Sequence, residues 1–156
     1  MHPNVQRVQA ALSQRGVAAQ VEELSESTRT AAEAAAAIGT TIGQIAKSLI
    51  FTTEDGEPVL VIASGSNRVC VDKLSRLLGR PVAPATAKMV REITGFPVGG
   101  VPPVGHQRAM PTYVDEDLLQ YQEIWAAGGT PQAIFPITPP QLVEITQGQV
   151  ADLREE

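Results

Sequence analysis

The chain has 156 residues, a length for one domain, and its 43% hydrophobic residues suffice for a core that is aliphatic because aromatics are only 4%. No apolar run approaches a membrane span, the start Met1-His2-Pro3-Asn4 lacks a signal-peptide pattern, and a lone cysteine, Cys70, excludes an internal disulfide framework. The net charge of −5 is uneven: residues 68–108 hold Arg68, Lys73, Arg76, Arg80, Lys88, Arg91 and Arg108 against only Asp72 and Glu92.

In chain order, Val5, Val8 and Leu12 recur at helical spacing after Pro3, with Gly16 as a cap. Val17 to Leu24 reads as a first strand. Thr30-x-x-Glu33 is a capping-box pattern ahead of an Ala-rich helix that stops at Gly39. Gln44 to Ala46 reads as a short helical turn. Lys47–Thr53 and Val59–Ala63 form a hairpin around Glu54-Asp55-Gly56-Glu57. A loop, Ser64 to Arg68, leads to a helix over Val71, Leu74, Leu77 and Leu78, ended by Gly79. Pro81–Ala83 is a short strand, and Thr86 caps a helix that Gly95 ends.

Pro97 to His106 holds three Gly and three Pro in ten residues, a stiff loop with bare amides. Such a loop suits a tight connection, and equally the presentation of N–H groups to a carbonyl or an anion. Thr112–Val114, Gln122–Ala126 and Ala133–Ile137 read as strands, with Asp115–Leu119 a helical turn and Gly128-Gly129 a turn. Thr138-Pro139-Pro140-Gln141 opens a last helix running to about Ile145. The mixed order predicts one α+β (mixed α/β) domain over residues 1–156, built on a largely antiparallel mixed sheet.

Only His2 and His106 supply imidazole, and neither stands in a metal-binding spacing with cysteine. The phosphate-loop, dinucleotide-binding and nucleophile-elbow patterns are missing. Chemistry without metal, cofactor or triad is the expectation. Alternation in Lys47-Ser48-Leu49-Ile50-Phe51 puts Lys47 with Leu49 and Phe51, an amine on an apolar face. Such a lysine finds a partner, snorkels to water or loses its proton more easily. The basic middle reads as ordinary helix surface or as a polyanion site, since Lys73, Arg76, Lys88 and Arg91 fall at helical spacings.

Four stretches taken together, Ile45 to Phe51, Pro58 to Ile62, Val71 to Leu74 and Thr94 to Gly105, resemble the YbaK/EbsC-type aminoacyl-tRNA deacylases, which are similar to the editing domain inserted in bacterial prolyl-tRNA synthetases. The resemblance implies a compact domain around a curved mixed sheet and hydrolysis of the ester on a mischarged tRNA, most often tRNA for proline carrying Cys, Ala, Ser or Thr; a cytoplasmic setting is the expectation from the absent signal pattern and the lone cysteine. It puts the family's key lysine on Lys47, its Gly-x-x-x-Pro motif on Gly99 and Pro103, and a position that varies between subfamilies on Ser48.

On this reading Lys47 and Gly99 are the catalytic positions, with Lys47 contacting the terminal ribose or phosphate or ordering the attacking group. The amides near Gly99, Gly100 and Val101 bind the aminoacyl carbonyl. Thr28, Thr30, Ser64, Gly65 and Ser66 are candidate pocket walls, with turn and cap chemistry the competing reading. His106 is set beside the loop or the tRNA end, with an ordinary surface histidine the competing reading. Arg68, Lys73 and Arg108 are the candidates for tRNA phosphates, with an aminoacyl-tRNA synthetase as the partner supplying further tRNA affinity; DNA and membranes are not expected partners. The rival readings are a non-catalytic module for a nucleotide or aminoacyl-like ligand, which would tolerate loss of Lys47, and a protein-interaction domain with an exposed apolar patch.

Overall fold

Side-chain and glycine caps set the limits of most helices. The computed structural model describes residues 1–156. Its elements are α1 (Pro3–Gln14), β1 (Glu22–Glu23), α2 (Ala31–Ile38), a 3-10 turn (Ile42–Gln44), β2 (Ile45–Thr53), β3 (Pro58–Ser64), α3 (Val71–Leu78), β4 (Val82–Pro84) and α4 (Ala87–Thr94). There follow β5 (Thr112–Asp115), a 3-10 turn (Glu116–Gln120), β6 (Ile124–Ala127), β7 (Ala133–Ile137), α5 (Pro139–Thr146) and β8 (Gln149–Ala151). The hydroxyls of Thr30, Thr86 and Thr138 each accept the N–H three residues on, and Thr138 with Gln141 completes a capping box. Gly39, Gly79 and Gly95 end their helices in the left-handed conformation.

The strands form one mixed sheet in the order β1-β7-β6-β2-β3-β5-β8, with β4 also pairing β2. The β1–β7, β2–β3, β2–β4 and β6–β7 pairs are antiparallel; β2–β6, β3–β5 and β5–β8 are parallel. Alternation along β2 and β3 sorts the core into two sides. Ala46, Ile50, Leu60 and Ile62 meet Val5, Val8 and Leu12 of α1, Val90 of α4 and Leu142 of α5. Phe51, Val59, Val61 and Ala63 meet Leu74 of α3 and Leu153. The Gly-Pro loop is nailed to the first side by Phe96, Val101 and Val104, all buried.

Three local expectations change. Of the strand expected over Val17–Leu24, only Glu22–Glu23 joins the sheet. The amide of Gln9 on α1 explains this: it donates to the Ala19 carbonyl at 2.9 Å and accepts from the Val21 N–H at 2.8 Å, taking groups a strand partner would take. The helical turn lies at Ile42–Gln44, and Ile45 and Ala46 instead open β2 because both pair with β6. Strand β8, which no reading of the sequence placed, adds to the edge at β5.

Candidate functional site

The sheet is split where Lys47 stands. One edge of β2 pairs with β3 throughout Ala46–Thr52. The other pairs with β6 at Ile45 and Ala46 and with β4 from Phe51 to Thr53, leaving Lys47–Ile50 without a ladder between them. The β3 ladder bonds the odd-numbered residues, as Gly65 N–H to the Ile45 carbonyl and Thr53 N–H to the Glu57 carbonyl show. Ser48 therefore turns its N–H and C=O toward the gap, where the Ala85 N–H takes the Ile50 carbonyl at 2.9 Å.

A cavity of about 660 Å³ opens at this gap. Its walls are mainly aliphatic: Ala34, Ile45, Ala46, Ile50, Val69, Val71, Val90 and Ile134, with Phe51 and Trp125. Polar groups converge on it from Thr28, Arg29, Thr30, Lys47, Ser48, Arg68 and Glu155, and Val98, Gly99 and Val101 bring in the Gly-Pro loop. An apolar hollow with a few directed polar groups is the usual form of a small-ligand site. The side-chain oxygens of Thr28 and Ser48 are buried and have no hydrogen-bond partner in the protein. Buried hydroxyls are nearly always paired, so these two, on residues of the cavity wall, are exceptions.

The Gly-Pro loop contributes amides. Gly99 adopts φ +86°, and a Cβ there would strike the Arg29 side chain, so only glycine fits. The N–H groups of Gly99 and Val101 have no acceptor in the protein, whereas the Gly100 N–H is spent on the Pro97 carbonyl at 3.0 Å. Gly100 instead lets the loop lie on the Thr130 backbone, 2.8 Å from where its Cβ would be.

Lys47 is half-buried, and burial holds its pKa below the ordinary lysine value; nearby Arg68 pushes the same way and Asp115 opposes. Asp115 is itself buried and accepts from the Ser64 N–H at 3.0 Å, Asn67 Nδ2 at 2.9 Å and the Asp117 N–H at 3.0 Å. It fixes the loop that carries Arg68 to the cavity. From the other side, the Glu155 N–H donates to the Arg68 carbonyl at 2.8 Å, and Arg154 holds Asp117 at 2.9 Å.

Among the residues expected from sequence, Lys47, Ser48, Thr28, Thr30, Arg68, Gly99 and Val101 line the cavity together. Ser64, Gly65, Ser66, Gly100, Pro103, His106, Lys73 and Arg108 do not. Ser64 is internal, its hydroxyl donating to the Gly43 carbonyl at 2.7 Å, and Gly65 lies against the Ile42 carbonyl. His106 is bound through Nε2 to the Pro102 carbonyl at 2.6 Å, and burial lowers its pKa. Lys73 is tied to Asp152 at 3.1 Å and Arg108 to Glu57 at 3.0 Å. Sequence reading missed Trp125 and Glu155, which had no local signal; Arg29 falls inside the expected wall from Thr28 to Thr30.

Residues 25–145 match the family model described as "Aminoacyl-tRNA editing domain". A solved structure, "Crystal structure of a putative trans-editing enzyme for prolyl tRNA synthetase", superposes with a TM-score of 0.94 at 54% identity, covering 100% of this chain and 99% of the other. "Uncharacterized protein YwhH" of Bacillus subtilis is 31% identical over 130 residues, 83% of each chain. The protein named "Putative Cys-tRNA(Pro)/Cys-tRNA(Cys) deacylase EbsC", of Enterococcus faecalis, is 28% identical over 83% of this chain and 79% of its own.

Proposed function

The chain belongs to the aminoacyl-tRNA editing domain family, and from that premise we propose that the cavity at the β2 gap hydrolyses the ester of a mischarged tRNA, acting in trans. The reading rests above all on one observation: Lys47 lines the same hollow as Gly99 and Val101, whose amides have no acceptor in the protein. An aminoacyl ester is already activated, so holding it and stabilising the developing oxyanion suffices. The Gly99 and Val101 amides receive the carbonyl oxygen as it gains charge. A water oxygen attacks the carbonyl carbon, the C–O bond to the terminal ribose breaks, and the ribose oxygen leaves with a proton. Lys47 contacts the ribose or phosphate, and the neighbouring ribose hydroxyl orders the water, since the cavity offers no imidazole.

The mainly aliphatic walls suit a small amino acid; Ser, Thr, Cys and Ala on tRNA for proline are the substrates we assign. The whole chain, residues 1–156, works as one editing unit in the cytoplasm, with a synthetase supplying further tRNA affinity. No helix is long and apolar enough to cross a membrane.

The test is deacylation across a panel of mischarged tRNAs with Lys47→Ala. We expect turnover to fall by roughly 100-fold or more, the scale of losing an electrostatic contact to a reacting centre, with far-UV circular dichroism unchanged. Full activity in that variant removes Lys47 from the mechanism. Saturable binding without turnover in the native protein makes it a binding module instead.

A further inference from the structure

A second, open groove of about 490 Å³ adjoins the cavity and shares Arg29 and Val98 with it. Arg29, Lys88 and Arg91 line it beside Pro97 and Pro131, and no carboxylate does. Lys88 and Arg91 are one helical turn apart on α4, so they present on one face. All three cations are exposed. Neither Arg29 nor Arg91 is ion-paired, and Lys88 meets Glu92 only at 3.9 Å between side chains that are 86% and 63% exposed.

Of the other five cations in the basic middle, Arg68 and Arg76 have no ion pair and three do. Lys73 holds Asp152, Arg80 holds Asp55 and Arg108 holds Glu57. On a chain of net charge −5, three exposed cations that are unpaired or only loosely paired thus gather at the cavity mouth, in a groove that no carboxylate lines. A groove of free cations ending at the cavity has the character of a track for a polyanion.

We propose that this groove binds the phosphodiester strand leading to the esterified ribose: the single-stranded 3′ end of the RNA lies along α4, with Arg29 at the passage into the cavity and Lys88 and Arg91 on the preceding phosphates. The inference rests on the editing function, and it replaces Lys73 and Arg108 as phosphate contacts. Exposed Val98, common to both hollows, offers an apolar surface to a base at the turn.

The experiment is equilibrium binding of an uncharged stem–loop RNA bearing a single-stranded 3′ CCA end, followed by fluorescence anisotropy over a salt series. Binding needs no turnover, so failure of the deacylation test leaves this one readable. Each lost phosphate contact lowers the slope of log affinity against log salt by about 0.7 for a single strand. Lys88→Ala and Arg91→Ala are each expected to show that drop, and the double reversal Lys88→Glu with Arg91→Glu to weaken binding more than about tenfold, while Arg80→Ala leaves it unchanged. Trimming the CCA end from the RNA should erase the difference between native and reversed protein. The groove assignment is overturned if the double reversal binds with native affinity and slope, or if the trimmed RNA retains the full difference.

Discussion

Lys47 and Ser48 are consecutive on β2 and point to opposite faces of the sheet, yet both line one cavity. In a continuous sheet this cannot occur, because the neighbouring strand separates the two faces. Here β6 leaves β2 after Ala46 and β4 joins it only at Phe51, so the hollow runs through the gap and reaches both side chains. The lysine arrives from the side of Phe51 and Asp115, the serine from the side of Ile50 and the Gly-Pro loop. A single strand thereby brings a cation and the unladdered main chain of Ser48 to one hollow.

The cost of burying the amine makes Lys47 a pH-dependent liability. Its pKa in the folded protein lies below the ordinary 10.5, from burial first and Arg68 second. The unfolded chain holds that proton to higher pH, so between the two values it binds more protons and native stability rises with pH. Lys47→Met keeps the apolar stem and drops the charge. Thermal denaturation at pH 7 is expected to show the variant more stable, on the order of 0.5 kcal/mol after screening at a half-exposed site. The advantage should shrink as pH rises through the folded pKa toward 10.5. An advantage that stays constant from neutral to alkaline pH argues against a buried ammonium.

Much of the fold was legible because its signals are local. Thr30, Thr86 and Thr138 announced helix starts, Gly39, Gly79 and Gly95 announced stops, and the β2–β3 turn lay in Glu54 to Glu57. What stayed hidden depends on partners far along the chain. Val17 and Val21 look like strand residues and are buried like them, but Gln9 takes the Val21 N–H and the Ala19 carbonyl. The gap at Lys47 follows from where β4 and β6 join β2, which no pattern within β2 reveals. Charge pairing was hidden for the same reason: Lys73, Arg108 and Arg91 look alike in sequence, and only the fold brings Asp152 and Glu57 to the first two.

Asp115 holds the rim of the site, and its geometry leaves no conservative replacement. Oδ2 accepts from the Ser64 N–H and from Asn67, while Oδ1 accepts from the Asp117 N–H. In Asp115→Asn one of the two positions becomes an NH₂ facing a donor, whichever way the amide turns. Urea unfolding is expected to show a loss of about 2–4 kcal/mol, the scale of leaving buried donors unmatched. Losing the carboxylate also removes the group that raises the Lys47 pKa, so the alkaline limb of any deacylation profile should move to lower pH. A variant as stable as the native protein would mean that the rim is held by the 153–155 segment alone.

Thr28 and Ser48 separate function from stability in the opposite sense. Each buries a side-chain oxygen with no partner, which costs the folded state the desolvation of that group. Thr28→Val is nearly isosteric and keeps the main-chain bond from the Thr28 N–H to the Pro131 carbonyl; Ser48→Ala deletes one atom. If the hydroxyls exist for a ligand, both variants should be more stable, by up to about 1 kcal/mol each, seen as a higher urea midpoint at unchanged m. Because both line one cavity, the double variant is not expected to be additive. The same variants should lose preference for substrates carrying a hydroxyl or thiol over alanyl ones, since discrimination through a buried polar contact disappears with the contact. A ligand role for the pair fails if stability falls while substrate preference is untouched, because the two oxygens would then be serving the fold and not the substrate.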